Sequence, residues 1–274
     1  PFPMTVTLMW RAALVGLLAA TLQLAGCGST PSKDEAPEAT AERLYKDARD
    51  DMESGSYERA IKTLERVESL AAGSLLAQQA LLDTAYLNWR SGERAAALTA
   101  LDRFIKLNPS SPALDYALYL RGVVNFIGDL GLFGTAFGQD VSERDQQAAR
   151  ESWQAFKQLV DQFPQSRYAP DARLRMNHIV NALAAYEVHV ARYYFRRGAY
   201  VAAAARAQSA VAEYAQSPAA EEALFIMVES YDKLALTTLR DDAARVLRQN
   251  FPDSSFLGGP GVAGTTPRPW WKFW

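Results

Sequence analysis

The stretch P-Q-S-R-Y-A-P-D-A (164–172) recurs in altered form four more times along the chain. The others are P-S-S-P-A-L-D-Y-A (109–117), A-Q-S-P-A-A-E-E-A (215–223), A-G-S-L-L-A-Q-Q-A (72–80) and P-D-S-S-F (252–256). Each carries Ser two places after its first residue, and the first four carry Ala eight places after it. The starts fall at 72, 109, 164, 215 and 252, with spacings of 37, 55, 51 and 37 residues. Self-similarity at such periods signals a repeat architecture. Proline cannot continue a helix, a following serine can cap the next one, and a helix first turn favours acidic residues. The pattern predicts that Ser111, Ser166 and Ser217 cap helices whose first turns hold Asp115, Asp171, Glu221 and Glu222.

A second motif interleaves with the first. G-S-Y-E-R-A (55–60) and G-A-Y-V-A-A (198–203) share G-x-Y-x-x-A, and S-G-E-R-A-A-A (91–97) is a shortened version. Glycine permits the left-handed turn between two helices. The tyrosine plugs the gap beside that turn, and the alanine lets the helices approach closely. Between the motifs the apolar spacing is helical, as in Tyr57, Ala60, Ile61, Leu64 and Val67, in Ala97, Leu101, Phe104 and Leu107, and in Trp153, Phe156, Leu159, Val160 and Phe163.

The expected fold is all-α, a tetratricopeptide-like helical solenoid of about five helix pairs running roughly 40–70, 74–107, 112–162, 167–214 and 218–250. One such pair cannot bury its apolar face alone, so pairs stack. The third carries an insertion, D-L-G-L-F-G-T-A-F-G-Q-D (129–140), read as a loop, and the fourth has a lengthened first helix from Tyr168 to Arg197. The W-x-x-L-G-x-x-Y signature of the tetratricopeptide class is not intact.

Composition narrows the function. With 49% hydrophobic residues, the 274-residue chain can form a sizeable core. The formal charge is −2 with dispersed basic residues, which speaks against nucleic acid. The single cysteine, Cys27, leaves no internal disulfide and no cysteine metal cluster. His178 and His189 lie eleven residues apart, roughly 16 Å on one helix, too far to share a metal. No HExxH, GxSxG or phosphate-loop motif is present, so neither an enzyme nor a cofactor is expected.

The first 26 residues read as a signal peptide. Arg11 precedes the short apolar run A-A-L-V-G-L-L-A-A-T-L-Q-L-A-G (12–26), no acidic residue occurs before Asp34, and Met9-Trp10-Arg11 would make a compact start. The run is too short and too interrupted for a comfortable membrane span. It ends in L-A-G-C (24–27), which resembles the bacterial lipobox. That resemblance implies a covalent lipid on Cys27, with several acyl chains anchoring the protein. Gly28 in place of Asp resembles the class sent to the outer membrane. Residues 27–39 are expected to be the lipidated cysteine and a flexible tether, 40–256 the repeats, and 257–274 a flexible tail ending W-W-K-F-W (270–274). The tail is expected to dock on a partner or the membrane, or else to fold back on the last repeat.

Signal, lipobox, tether and five P-x-S repeats together resemble the BamD/ComL family of repeat lipoproteins from the outer-membrane β-barrel assembly machine. The resemblance spans about 35–256. It is most specific at S-E-R-D-Q-Q-A-A-R-E-S-W-Q-A-F-K-Q-L-V-D-Q-F-P-Q-S-R-Y-A-P-D-A (142–172) and Y-E-V-H-V-A-R-Y-Y-F-R-R-G-A-Y-V-A-A-A-A-R (186–206). It implies a non-catalytic adaptor at the periplasmic face of the outer membrane. The implied partners are unfolded β-barrel precursors, the periplasmic domains of the β-barrel insertase and smaller assembly-machine lipoproteins. The family pattern R-G-x-[YW]-V-A-x-x-x-R assigns insertase binding to Arg197, Tyr200 and Arg206. An arginine projecting from the edge could pair bidentately with a partner carboxylate. Aromatic rings exposed on first helices suit a peptide groove, which nominates Tyr86, Trp89, Tyr116 and Tyr119, with Asn88 and Asn125 available to bond an extended backbone. Rival adaptors are secretin pilots, which usually lack the third-repeat insertion, and the envelope-constriction coordinator, which usually has an N-terminal coiled coil and no lipobox.

Overall fold

The structure is a computed structural model and describes residues 36–126 and 143–258. The signal segment, Cys27, most of the tether (28–35), the 129–140 stretch and the tail from residue 259 lie outside the described residues. The last tether residues, 37–39, and the first tail residues, 257–258, were expected to be flexible, but 37–39 form the first turn of a helix and 257–258 a 3-10 turn, because Pro37 suits a helix first turn and Leu257 packs against a buried cluster. Among the described residues there is no strand, and no helix is long and apolar enough to cross a membrane. The described residues form ten α-helices, in order α1 (Pro37–Glu53), α2 (Tyr57–Leu70), α3 (Leu75–Arg90), α4 (Arg94–Leu107), α5 (Leu114–Asn125), α6 (Glu143–Gln162), α7 (Ala169–Arg196), α8 (Tyr200–Glu213), α9 (Ala219–Lys233) and α10 (Thr237–Asn250). These are the five expected pairs, including the lengthened first helix of the fourth. The fold is an all-α, tetratricopeptide-like helical repeat.

The chain forms two compact units, one ending at Ala80 and one beginning at Leu81. In the first, α1 packs on α2. Ala41, Ala48, Ala60, Leu64 and Val67 are all fully buried, and the alanines let the two helices approach closely. Arg59 spans the turn to donate Nε to Oδ1 of Asp51 at 2.8 Å.

In the second unit three of the cores each draw on three consecutive helices. Leu82 and Ala85 of α3 meet Leu101 and Phe104 of α4 and Ala117 and Leu120 of α5. Leu118 of α5 meets Phe156 and Leu159 of α6 and Ile179 of α7. Val188 and Phe195 of α7 meet Ala203 and Ala207 of α8 and Ile226 of α9. A pair is therefore completed by the first helix of the next pair, as expected of stacked repeats.

Within pairs, the turn motif behaves as its glycines demand. Gly55, Gly92 and Gly198 have φ of 76°, 84° and 77°. The residue after each donates back to the helix, as in Glu93 N to Asn88 O at 2.8 Å and Ala199 N to Tyr194 O at 3.0 Å. This is the Schellman closure. The fifth pair uses the same closure without glycine: Ala235 has φ 58° and Leu236 N donates to Tyr231 O at 2.9 Å.

Between pairs, the serines act differently from the expectation. Ser111, Ser166 and Ser217 are not N-caps; those positions fall to Ala113, Tyr168 and Pro218. Each serine instead forms a tight turn just upstream. Its Oγ accepts from the N–H two residues on, at 3.3, 3.2 and 3.3 Å, and its carbonyl accepts from the N–H three residues on. That turn uses the serine carbonyl first, so the regular helix starts later. Ser254 repeats the geometry ahead of a short 3-10 turn, Ser255–Gly258. Phe256 in that turn stacks on Phe225 with centroids 4.8 Å apart. Leu107 also departs from its predicted place on the apolar face, being 65% exposed.

The first-turn acids Asp115, Asp171, Glu221 and Glu222 lie where expected. Three of them also lock neighbouring pairs in register. Ser166 Oγ donates to Asp115 Oδ2 at 2.7 Å, Tyr119 reaches Asp171, and Arg192 reaches Glu222.

Candidate functional site

Aromatic side chains gather on the first helices α3, α5 and α7. Tyr86 and Trp89 lie one turn apart on α3 with centroids 5.8 Å apart, because helical neighbours three residues apart share a face. On α5, Tyr116 and Tyr119 repeat that spacing, and both lean on Tyr168 at the start of α7, at 5.5 and 4.8 Å, the latter stacked. Guanidinium groups cover the rings: Arg90 over Tyr86 at 5.9 Å, Arg167 over Tyr168 at 4.7 Å and Arg175 over Phe126 at 4.8 Å. Cation–π attraction holds such pairs, and the result is a semi-rigid aromatic surface edged by positive charge.

Two corrections follow from the packing. Tyr86, Trp89, Tyr116 and Tyr119 were expected to be exposed, but all four are half-buried. Tyr86, Trp89 and Tyr116 rest on the second unit's first core and Tyr119 on the next, so each serves the fold with one face. The asparagines are also less available than expected. Asn88 donates Nδ2 to Thr84 O at 3.0 Å. Asn125 is fully buried and accepts from Arg94 Nη2 at 2.8 Å.

Local electrostatics fix the phenols as hydrogen-bond donors. Burial, reinforced by the Asp83 charge, pushes the Tyr116 hydroxyl up to about 12 from 10.0. Burial and the hydrogen bond to Asp171 push Tyr119 upward too. For Asp171, burial alone would raise the carboxyl. Hydrogen bonds from Arg175 and Tyr119 outweigh it and hold the group below its ordinary 3.8.

The turn between α7 and α8 holds the other nominated residues. Arg197 is exposed and lies over the Tyr193 ring at 5.3 Å. Tyr193 is 45% and Val201 69% exposed, so an apolar and cationic tip is presented there. Tyr200 points inward, edge-on to Phe195 at 5.3 Å, and plugs the turn as its motif requires. Arg206 differs from the freely projecting arginine that was expected. Its Nη1 sits 3.3 Å from Oε2 of Glu187, with side chains 48% and 9% exposed. A buried carboxylate needs such a partner, so Arg206 already has structural work. Sequence reading missed Glu187, although an acid beside Leu183, Ala184, Val188 and Ala191 interrupts a core stripe and was a readable signal. Among the described residues, no group of three or more His, Cys, Asp or Glu could hold a metal ion.

The family model described as YfiO, outer membrane lipoprotein, matches residues 37–247. The outer membrane protein assembly factor BamD of Neisseria meningitidis serogroup B is 44% identical over 257 residues, covering 92% of this chain and 96% of that relative. The factor of the same name from Xylella fastidiosa is 35% identical, covering 90% and 84%, and that from Vibrio cholerae 33% identical, covering 86% and 97%. Matched along nearly all of its helical repeats, this chain belongs to the YfiO family of outer membrane lipoproteins.

Proposed function

We propose that this chain is a non-catalytic scaffold of the outer-membrane protein assembly machinery, held by a lipid on Cys27 at the periplasmic face of the outer membrane. The observation that carries the reading is the similarity to outer membrane protein assembly factors over almost their whole length. A relative sharing only one repeat pair would not support it.

Two surfaces divide the work. The aromatic strip of Tyr86, Trp89, Tyr116 and Tyr119 takes extended segments of unfolded β-barrel precursors, since flat rings accept apolar side chains with little demand on sequence. The tip around Arg197 and Arg206 docks on periplasmic domains of the insertase, with smaller lipoproteins of the machine joining the complex. There Arg197 meets a partner carboxylate directly. Arg206 both pairs Glu187 and presents its outer N–H groups. Tyr200 acts by holding the turn in shape.

The test is a pull-down from detergent-solubilised outer membranes through a C-terminal tag, with mass spectrometry of what co-purifies. Recovery of a β-barrel insertase with periplasmic repeat domains is the expected result. Recovery of a secretin, or of division proteins without the insertase, would overturn the assigned role.

A further inference from the structure

A pocket of about 280 Å³ opens between α4, α5 and α6, with no aromatic residue in its lining. Arg94 and Leu98 come from α4, Asn125 from the end of α5, and Gln147, Ala148 and Glu151 from α6. Asn125 at its floor has no exposed surface. Its orientation is set by Arg94, which donates Nη2 to Oδ1 at 2.8 Å. That leaves Nδ2 buried without an acceptor. Folded proteins rarely leave such a donor unmet, and each case calls for a reason.

The rest of the lining says what would meet it. Arg94 has further N–H groups beyond the one given to Asn125. Across the pocket, Glu151 accepts Nε2 of Gln147 on Oε1 at 3.0 Å, and its second carboxylate oxygen is a further acceptor. One wall thus offers donors and a positive charge, the other an acceptor and a negative charge. A chain-terminal carboxylate would face Glu151 and a terminal ammonium would face Arg94. A neutral peptide unit has its carbonyl on one side and its N–H on the other, which fits both walls. Leu98 and Ala148 leave apolar room for the adjoining side chain.

We infer that this pocket holds one internal peptide unit of a bound extended chain, its carbonyl accepting from Asn125 and Arg94 and its N–H donating to Glu151. Nδ2 is closed to bulk water, so the carbonyl reaches it through a local opening of the lining in which Arg94 keeps its bond to Oδ1. This rests on the precursor-binding reading above and makes it specific: chain interiors are gripped through the backbone, and chain ends are not required.

The experiment uses the full chain in detergent and fluorescence anisotropy with a short peptide of alternating apolar and polar residues, blocked at both ends. The same peptide with a free carboxylate and a series N-methylated at single backbone positions are compared with it. The blocked peptide should bind at least as tightly as the free acid. Asn125→Leu and Glu151→Gln should each weaken it about tenfold, a clear difference in binding free energy. Asn125→Leu removes both the unmet donor and the acceptor of Arg94, whose half-exposed guanidinium can turn to water, so the variant should melt close to the parent. One N-methylated position alone should show a similar loss, and that measurement decides the matter even if a variant fails to fold. Tenfold tighter binding of the free acid would overturn the inference. So would unchanged binding by both variants together with a flat N-methyl series, although the precursor reading would then stand. No binding of any peptide by the parent chain would remove the precursor reading and the pocket assignment together.

Discussion

The hydroxyl of Tyr119 donates to Oδ2 of Asp171 at 2.7 Å, joining residues 52 positions apart. Arg175 donates Nε to the same oxygen at 2.6 Å. One carboxylate thereby ties α5 to α7, the first helices of successive pairs, and fixes the edge of the aromatic strip.

That tie gives stability an acid dependence. The folded Asp171 carboxyl lies below its ordinary 3.8, so its contribution is present above that value and is lost as pH falls through the lower folded value. The carboxylate side chain is 45% exposed, so solvent screening limits the effect. We expect Asp171→Asn to cost about 1 kcal/mol at neutral pH and to flatten the acid limb of the stability curve. Urea unfolding from neutral pH to below 3.8 measures both, and an unaltered acid limb would contradict the assignment.

Tyr116 provides the alkaline counterpart. Its phenol, at about 12 when folded against 10.0 ordinarily, is protonated in both states below 10.0. As pH rises from there towards 12, the unfolded chain ionises first and the fold loses stability. Near-ultraviolet absorbance should show several late-titrating tyrosines, since Tyr119 and Tyr214 are raised too, and one of them should disappear in Tyr116→Phe. The variant's stability should also decline less steeply over the same range.

Packing at Gly122 predicts a steric penalty. A Cβ built there would lie 2.4 Å from Cε1 of Phe156, and Ser152 Oγ pins the Gly122 carbonyl at 2.7 Å, so α5 cannot easily back away from α6. Gly122→Ala should cost about 1–3 kcal/mol. Combined with Phe156→Leu, the loss should fall short of the sum of the single variants, because the second change makes room for the methyl group. Additive losses in thermal unfolding would mean that the two residues are not in conflict.

The four Schellman turns predict opposite signs at equivalent positions. A Cβ at Gly198 would meet nothing within 4 Å, so Gly198→Ala should lose only the backbone term, about 1 kcal/mol. Ala235 already bears that strain at φ 58°. Ala235→Gly should therefore gain about 0.5 kcal/mol once the greater freedom of unfolded glycine is allowed for. Differential scanning calorimetry of the two variants checks the pair; a fall in melting temperature for Ala235→Gly would contradict the reading.

Much of the fold was legible because its signals are local. Gly55, Gly92 and Gly198 mark turns that only a left-handed residue closes, and the helical spacing of Leu64, Val67, Leu101 and Phe104 marks the buried stripes. The fifth turn was harder to read, since Ala235 occupies a glycine's place. The serines misled by one or two positions because capping and an upstream tight turn use the same residue type. The site was less legible than the fold. Helical spacing tells that Tyr119 and Tyr116 share a face with the core, but it does not tell how much of each ring remains outside. The pairing of Arg206 with Glu187 and of Arg94 with Asn125 depends on helix crossings, which spacing along one helix does not encode.

A scaffold of this kind has separate surfaces for precursor and insertase. Site-specific photo-crosslinking in living cells tests that separation most directly, with a photoreactive phenylalanine placed at Trp89 in one strain and at Val201 in another. Adducts with unfolded outer-membrane protein precursors are expected from position 89 and an adduct with the β-barrel insertase from position 201. Adducts of position 201 with a secretin or with division proteins, or no precursor adduct from position 89, would contradict it.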